Sequence, residues 1–462
     1  MITETSAQLV LEAALSSGGD FAELYMEDTV SNSLVMIDGA VDNATSARST
    51  GAGVRVFSGV RSAYAYTADT SLDALIGAAK AAAAALSSDS RISVVPFRPA
   101  DYAVSPRIPY ATVDNATRIA KMHEAHLASK SYSDEISQVV VSLLDVDKSM
   151  FVCNTEGVWA SDRRPRMRLA VQAVASKGGD SQTGYDSPGN ARGFEGFDLI
   201  DPTACGKEAS RQAVTMLHAD ECPAGVMPVV IDGGFGGVIF HEACGHSLEA
   251  TSVSKGNSVF CGKLGTQIAA PCVSAVDDGT MEGEWGSIHI DDEGTPSRRN
   301  LLIENGILKS YLIDRLGGRR MGMAPTGSSR RQDYTYAPTS RMTNTFICEG
   351  KDDPEEMIRT MGDGIFAAYM GGGSVSPLTG EFNFAVREGY LVRDGKIVAP
   401  VRGATLIGRG ADVLMKIDRV GPRMWMAQGM CGSLSGSIPT NVGQPRIRVS
   451  QITVGGKGGT LA

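Results

Sequence analysis

An α+β fold in two domains is predicted by three observations on this chain. Helix-like and strand-like segments do not alternate in the βαβ manner. The texture changes at Met227, beyond which glycine becomes frequent and turn dipeptides join strand-like runs. At 462 residues, the chain is also longer than one ordinary core accommodates. The expected architecture is an N-terminal domain over 1–220, made of two helix/antiparallel-sheet units with a link near 95–112. A β-rich C-terminal domain follows over 221–462, carrying one histidine-bearing helix.

Each element has its own signal. The first unit opens with an amphipathic helix over Thr5 to Ser17, ended by Gly18-Gly19. Strands follow at Phe21 to Met26, Ser33 to Ile37 and Val54 to Phe57, with Asp38-Gly39 as a hairpin turn. An alanine-rich helix, Leu72 to Leu86, closes the unit. Pro96, Pro99, Pro106 and Pro109 mark the link. The second unit reads as a helix from Asp114 to Lys130, then strands at Gln138 to Leu144, Met150 to Cys153 and Met167 to Ala175. Gly178 to Gly196 reads as a loop and Ala204 to His218 as a helix. In the C-terminal half, Met227 to Ile231 is a strand, and Asn305-Gly306 and Asp394-Gly395 are two-residue hairpin turns. Beside the histidine helix, Pro354 to Tyr369 and Gly410 to Asp418 are its expected helices.

Composition narrows the function. With 42% hydrophobic and 21% charged residues the chain falls among globular proteins. Its net charge of −9 argues against a nucleic-acid partner, because neutralising phosphates requires a basic surface. No stretch approaches the length of a bilayer span, and Met1 to Ser17 lacks the basic start and apolar run of a signal peptide. The expectation is no membrane partner and a cytoplasmic location. The eight cysteines form no C-x-x-C pair, so neither a zinc knuckle nor a thioredoxin-type motif is supported.

The chemistry concentrates in His241-Glu242-Ala243-Cys244-Gly245-His246, preceded by a strand and the turn Gly233-Gly234-Phe235-Gly236-Gly237. Two imidazoles and an adjacent carboxylate are what a hydrolytic zinc site requires: ligands for Zn2+, and a base for the water whose pKa the metal lowers. The familiar zinc-peptidase helix spaces its histidines at i, i+4, on one face. Here the spacing is i, i+5, which in a regular helix sets the rings roughly 140° apart. A shared ion therefore demands unwinding or a π-bulge around Ala243 to Gly245, and Gly245 should make that distortion cheaper. The glycine turn lacks the third glycine of a dinucleotide loop and the Lys-Ser/Thr of a Walker loop, so nucleotide binding is not expected. His123-Glu124-Ala125-His126 lies in a polar helix pattern and reads as a solvated face.

A third protein ligand is needed. Glu249 and Cys244 are near in sequence; Cys261, His289, Asp291-Asp292-Glu293 and Cys431 are distant candidates. Cys431 sits in the glycine-flanked run Gln428-Gly429-Met430-Cys431-Gly432-Ser433, where the backbone can approach closely. Residue chemistry alone does not separate Glu249 from Cys431.

The motif, continued as Ser247-Leu248-Glu249-Ala250, is accompanied by Asp291-Asp292-Glu293-Gly294-Thr295-Pro296, Leu302-Ile303-Glu304-Asn305-Gly306 and Met321-Gly322-Met323-Ala324-Pro325-Thr326-Gly327. Arg341-Met342-Thr343-Asn344-Thr345, Gly443-Gln444-Pro445 and Thr453-Val454-Gly455-Gly456 complete the series. In this order they resemble the TldD/PmbA family, specifically its TldD side, over nearly the whole chain. The resemblance implies a two-domain α+β zinc metallopeptidase that dimerises. It implies His241, His246 and Cys431 as metal ligands, Glu242 as general base, and Glu249 as a residue behind the ligands. It further implies unfolded peptides as substrates, and a homodimer or a heterodimer with a metal-free sister subunit. The label "modulator of DNA gyrase" belongs to the same family, but nothing in this acidic sequence supports direct DNA contact.

The expected function is cleavage of extended peptides by metal-activated water, with strand addition as the binding mode. The glycine-rich stretch from Gly371 to Phe384, including Gly372, Gly373 and Phe382, is the candidate substrate loop; a plain turn connection is its bland alternative. The rival class is a non-catalytic binding or regulatory protein, or the partner subunit of a hetero-oligomeric protease, which would hold no stoichiometric zinc.

Overall fold

The computed structural model describes residues 2–86, 88–376 and 378–461. The chain is α+β, organised on two large sheets. The first has eight strands, and its main path runs Arg61–Thr67, Ala40–Ser58, Phe21–Ile37, Ile136–Asn154, Val158–Lys177 and Arg98–Asp101. All neighbours on this path are antiparallel except the last pair. Helices Glu4–Ala14 and Leu72–Ala84 bury Val10, Leu11, Ala79 and Ala82 against Ala52, Val54 and Leu24 of the sheet. Helices Asn115–Lys130 and Pro202–Leu217 cover Val141, Leu169 and Val171. All four helices begin at a residue whose side-chain oxygen accepts from a first-turn amide: Thr3, Ser71, Asp114 and Asp201.

The second sheet has twelve strands. Its centre is Gly225–Ile231, antiparallel to Gly436–Gly455 on one side and parallel to Gly364–Val375 on the other. The apolar face of this centre, Val229, Ile231, Ile447 and Val449, packs on Ile239, Phe240, Ala243 and Leu248 of the histidine-bearing helix. Burying each large side chain of this set is worth roughly 1.5–3 kcal/mol. The helix is therefore fixed from beneath by this packing.

The turn signals are realised. Asp38, Asn305 and Asp394 take φ of 47°, 49° and 49°, each followed by a glycine of positive φ, the geometry of two-residue I′ turns. Four expectations are corrected. The segment Gly178 to Gly196 is not a loop throughout, because Asp180–Asp186 pairs with Val158–Lys177 around the positive-φ glycines 178 and 179. The helix expected over Pro354 to Tyr369 ends at Arg359. Gly362, at φ +75°, breaks it, and Ile365 and Ala367 become buried positions of a central strand. The strands expected at Phe21 to Met26 and Ser33 to Ile37 are one continuous strand, since its polar middle pairs on both sides. His126 is buried beside Gly39 rather than solvated.

A buried charge network joins the first sheet to loops of the C-terminal half. Arg55 donates to Glu23 at 2.9 Å and to Glu293, while Arg331 reaches Glu23 at 3.2 Å. Arg164 bridges Asp162 at 3.0 Å and Asp292 at 2.7 Å, and the Arg331 amide donates to Asp292 at 2.6 Å. The acidic run considered as a source of metal ligands thus serves this contact. Burial opposes the Asp292 charge, but Arg164, Lys148 and Arg331 hold its carboxyl below the usual range. Its stabilisation is present above the unfolded value of about 3.9 and is lost as pH falls through its lower folded value. Asp292→Ala should lower stability by about 3–5 kcal/mol at neutral pH, because a buried guanidinium loses its counter-charge. Urea unfolding measures this; a loss below about 1 kcal/mol would contradict the assigned role.

Candidate metal centre

The strand Gly225–Ile231 leads through a tight 3₁₀ turn, Gly234–Gly237, into the helix. Gly237 permits the approach: a Cβ there would lie 2.4 Å from the Gly443 amide nitrogen of the neighbouring strand. From His241 to Gly245 the backbone is a π turn, with the His246 amide donating to the His241 carbonyl five residues back. The departure from α geometry demanded by the i, i+5 spacing is present. The π turn brings the two rings to one side, with centroids 5.0 Å apart and planes at 85°.

The role of Gly245 differs from the expectation. Its φ of −51° is ordinary helical backbone. What glycine supplies is space, since a Cβ there would lie 2.2 Å from the Met342 sulfur and force that buried side chain to shift. Gly245→Val should therefore displace Met342 or the π turn and weaken metal binding well beyond Ala243→Gly, which adds no volume. Isothermal titration with zinc compares the two; equal affinities would refute the steric account.

The hairpin of Ile417–Ser433 and Gly436–Gly455 brings Cys431 over the helix. Its Sγ lies 3.3 Å from Nε2 of His241 and 3.3 Å from Nε2 of His246. These three ligand atoms lie within 4.8 Å of one another, and they form the one such group of His, Cys, Asp or Glu found among the described residues. Ideal tetrahedral zinc with bonds of 2.0–2.1 Å to nitrogen and 2.3 Å to sulfur separates N from S by about 3.6 Å. The donor set fits a metal of this kind, with three protein ligands and a fourth position left open. Burial opposes the Cys431 thiolate, yet the two imidazoles hold the thiol well below its ordinary range. Burial likewise opposes a charged His246, while Glu249 and Cys431 hold its pKa well above the usual value. A thiolate facing imidazoles is the charge pattern a divalent cation would take over.

The other candidates fall elsewhere. Glu249 stands behind the ligands, its Oε2 3.2 Å from Nδ1 of His246. Glu242 is partly open to solvent, its Oε2 3.7 Å from Nε2 of His246. Cys244 is fully buried in the core, where burial pushes its thiol up. Cys261 lies 3.5 Å from the Val253 carbonyl, and His289 pairs with Asp162 at 2.8 Å. Gly371, Gly372 and Gly373 are in the strand Gly364–Val375, and Phe382 in Glu381–Arg393, so the candidate loop is largely a bulged hairpin. Phe382 is buried with Phe384 in the same core as Phe240. Sequence reasoning gave no role to Arg341, which donates to the Cys431 carbonyl from a fully buried position. An arginine in a polar run carries no periodic signal; only its place in the fold reveals it.

Known proteins resemble this chain over most of its length. Residues 22–86 match a model of PmbA/TldA metallopeptidase domain 1, 108–217 the central domain and 224–456 the C-terminal domain. A metalloprotease TldD homolog of Haemophilus influenzae is 37% identical over 95% of this chain and 93% of its own length. A zinc metalloprotease TldD homolog of Saccharolobus solfataricus is 30% identical over 56% of this chain and 58% of its own length. The crystal structure of TldE from Thermococcus kodakarensis has the same fold, with a TM-score of 0.77 at 16% identity, covering 97% of this chain and 99% of that one.

Proposed function

We propose that this chain, which belongs to the PmbA/TldD metallopeptidase family, is a zinc-dependent peptidase acting on unfolded or extended peptides. The observation that carries the reading is the convergence of His241, His246 and Cys431, the last about 190 residues away in sequence, with Glu242 at the edge of the group. When bound, zinc would polarise the scissile carbonyl and acidify a water molecule. His241 and His246 would hold it through Nε2, and Cys431 through Sγ. Glu242, the one acidic side chain of the group that is partly open to solvent, takes the proton of the attacking water. It then returns that proton to the leaving amine, so the carboxylate ends the cycle as it began. The hydrophobic packing beneath the helix holds the Glu242 backbone rigid during both transfers.

The proposed division into domains 1–220 and 221–462, with the HExxxH helix in the second, is supported by the two separate sheets. Substrate binding by strand addition is supported by the predominance of β structure in that part, since backbone hydrogen bonding tolerates many sequences. A homodimer, or a heterodimer with a metal-free sister subunit, is the proposed assembly, and the TldE-like fold is compatible with it. No described helix is long and apolar enough to cross a membrane; a cytoplasmic location is part of the proposed reading.

The test is elemental analysis of the purified protein combined with mass spectrometry of a peptide library after incubation, alone and with any sister subunit from the same genome. About one zinc per chain and new peptide termini are expected. A protein without stoichiometric zinc that binds a partner but cuts nothing would establish the rival, non-catalytic reading.

A further inference from the structure

Behind the ligand atoms, a carboxylate and a guanidinium meet. Glu249 follows the short helical turn that carries His246, and its side chain is buried. One of its oxygens faces Nδ1 of His246 at 3.2 Å. The other, Oε1, is buried without a hydrogen-bond partner, and Nε of Arg341 faces it at 3.9 Å. That Nε is itself buried and without a hydrogen-bond partner. Arg341 is 0% exposed, so its charge has no access to water. Its remaining nitrogens are spent on the hairpin: one donates to the Cys431 carbonyl, the other to Ser435 Oγ at 3.0 Å and to the Gly436 carbonyl at 2.9 Å.

Two physical arguments connect these contacts. A guanidinium presents its donors in a rigid plane, so groups held on its two sides keep a fixed relation to each other. A carboxylate behind a ligating imidazole keeps the proton on the rear nitrogen, leaving the front nitrogen free to bind metal and fixing the ring's direction. Arg341 thus touches the backbone of one ligand, Cys431, and faces the carboxylate that orients another, His246. It does so across a sequence gap that no local structure spans.

We propose that Arg341 is a positioning residue that, through Glu249, presents the Cys431 thiolate and the His246 imidazole to the metal as one preassembled unit. The inference rests on the ligand set proposed above. Its consequence is that Glu249 and Arg341 act on metal affinity jointly rather than independently. If Arg341 only braced the hairpin turn, its loss would alter folding but would not change what Glu249 contributes.

The experiment is a double-substitution cycle read by zinc affinity, using a competing chelator, on wild type, Glu249→Gln, Arg341→Met and the double variant. Each single substitution should weaken zinc binding by roughly 10–100-fold, the usual effect of losing a partner behind a metal ligand. The double variant should be no weaker than the weaker single one. Cobalt substitution supplies a second readout: the thiolate-to-metal absorption band should shift or fade in Arg341→Met even at saturating metal. If Arg341→Met fails to fold, Arg341→Lys takes its place, since it keeps the charge but loses the rigid fork. Folded single variants with wild-type affinity, or effects that multiply in the double variant, would overturn the proposal. Zinc binding in wild type that survives Cys431→Ser unchanged would instead remove the ligand set, and this role with it.

Discussion

Glu242→Gln is expected to abolish most peptide hydrolysis while leaving the protein and its metal intact. The substitution keeps the size of the side chain and removes only the ability to accept a proton at neutral pH. A positioned general base is worth roughly 10²–10⁴-fold in rate, so kcat/KM should fall by that amount. Zinc content should not change, because the Glu242 carboxylate lies beside the imidazole of His246 rather than among the three converging ligand atoms. Thermal stability should also hold, since the side chain is partly solvent-exposed and its 3.7 Å pair with His246 is loose, while that ring keeps Glu249 at 3.2 Å. The measurement is hydrolysis of a short unstructured peptide, with and without a sister subunit, beside zinc analysis of the same preparation. Retained hydrolysis would refute the proton-transfer role. Loss of zinc along with activity would recast Glu242 as a ligand or an anchor of the site.

Cys431→Ser should have the opposite signature, with zinc and activity lost together. A hydroxyl is a far poorer zinc ligand than a thiolate, and the substitution leaves two imidazoles where structural and catalytic sites use three or four protein ligands. The backbone contact from Arg341 to residue 431 survives, so the hairpin should remain docked. Circular dichroism and thermal unfolding of the metal-free proteins should therefore be nearly identical for variant and wild type. A variant that retains stoichiometric zinc, set against a Glu249→Gln protein that loses it, would transfer the third ligand position to Glu249.

Much of the arrangement was legible in local sequence signals. Asp-Gly and Asn-Gly pairs fix their turns because only residues tolerant of positive φ occupy them, and the three predicted in this way occur where expected. The i, i+5 spacing of His241 and His246 demanded a distorted helix, and the π turn supplies it. What was not legible depends on partners distant in the chain. The run Ile365, Phe366, Ala367 and Ala368 carries no period that separates a buried strand from a helix, and the neighbouring strands decide it. Asp291-Asp292-Glu293 has the composition of a cation site, but Arg55 comes from elsewhere in the chain to pair with Glu293 and Arg164 to pair with Asp292, while Asp291 accepts from backbone amides. Between Glu249 and Cys431 the residues alone were silent; the hairpin that carries Cys431 to the imidazoles is a tertiary fact.

The order in which the strands enter the second sheet also bears on when the protein can act. Gly225–Ile231 and the histidine-bearing helix are made early, but one flank of that strand is occupied by Gly436–Gly455, near the far end of the chain. Cys431 reaches the imidazoles only as part of the hairpin that this last strand completes. The donor set therefore cannot be complete before Cys431 and its hairpin partner Ile438 have left the ribosome. On the proposed function, a nascent chain would itself be an unfolded polypeptide of the kind the site would cut, and late assembly of the donor set would leave it unable to act during that interval.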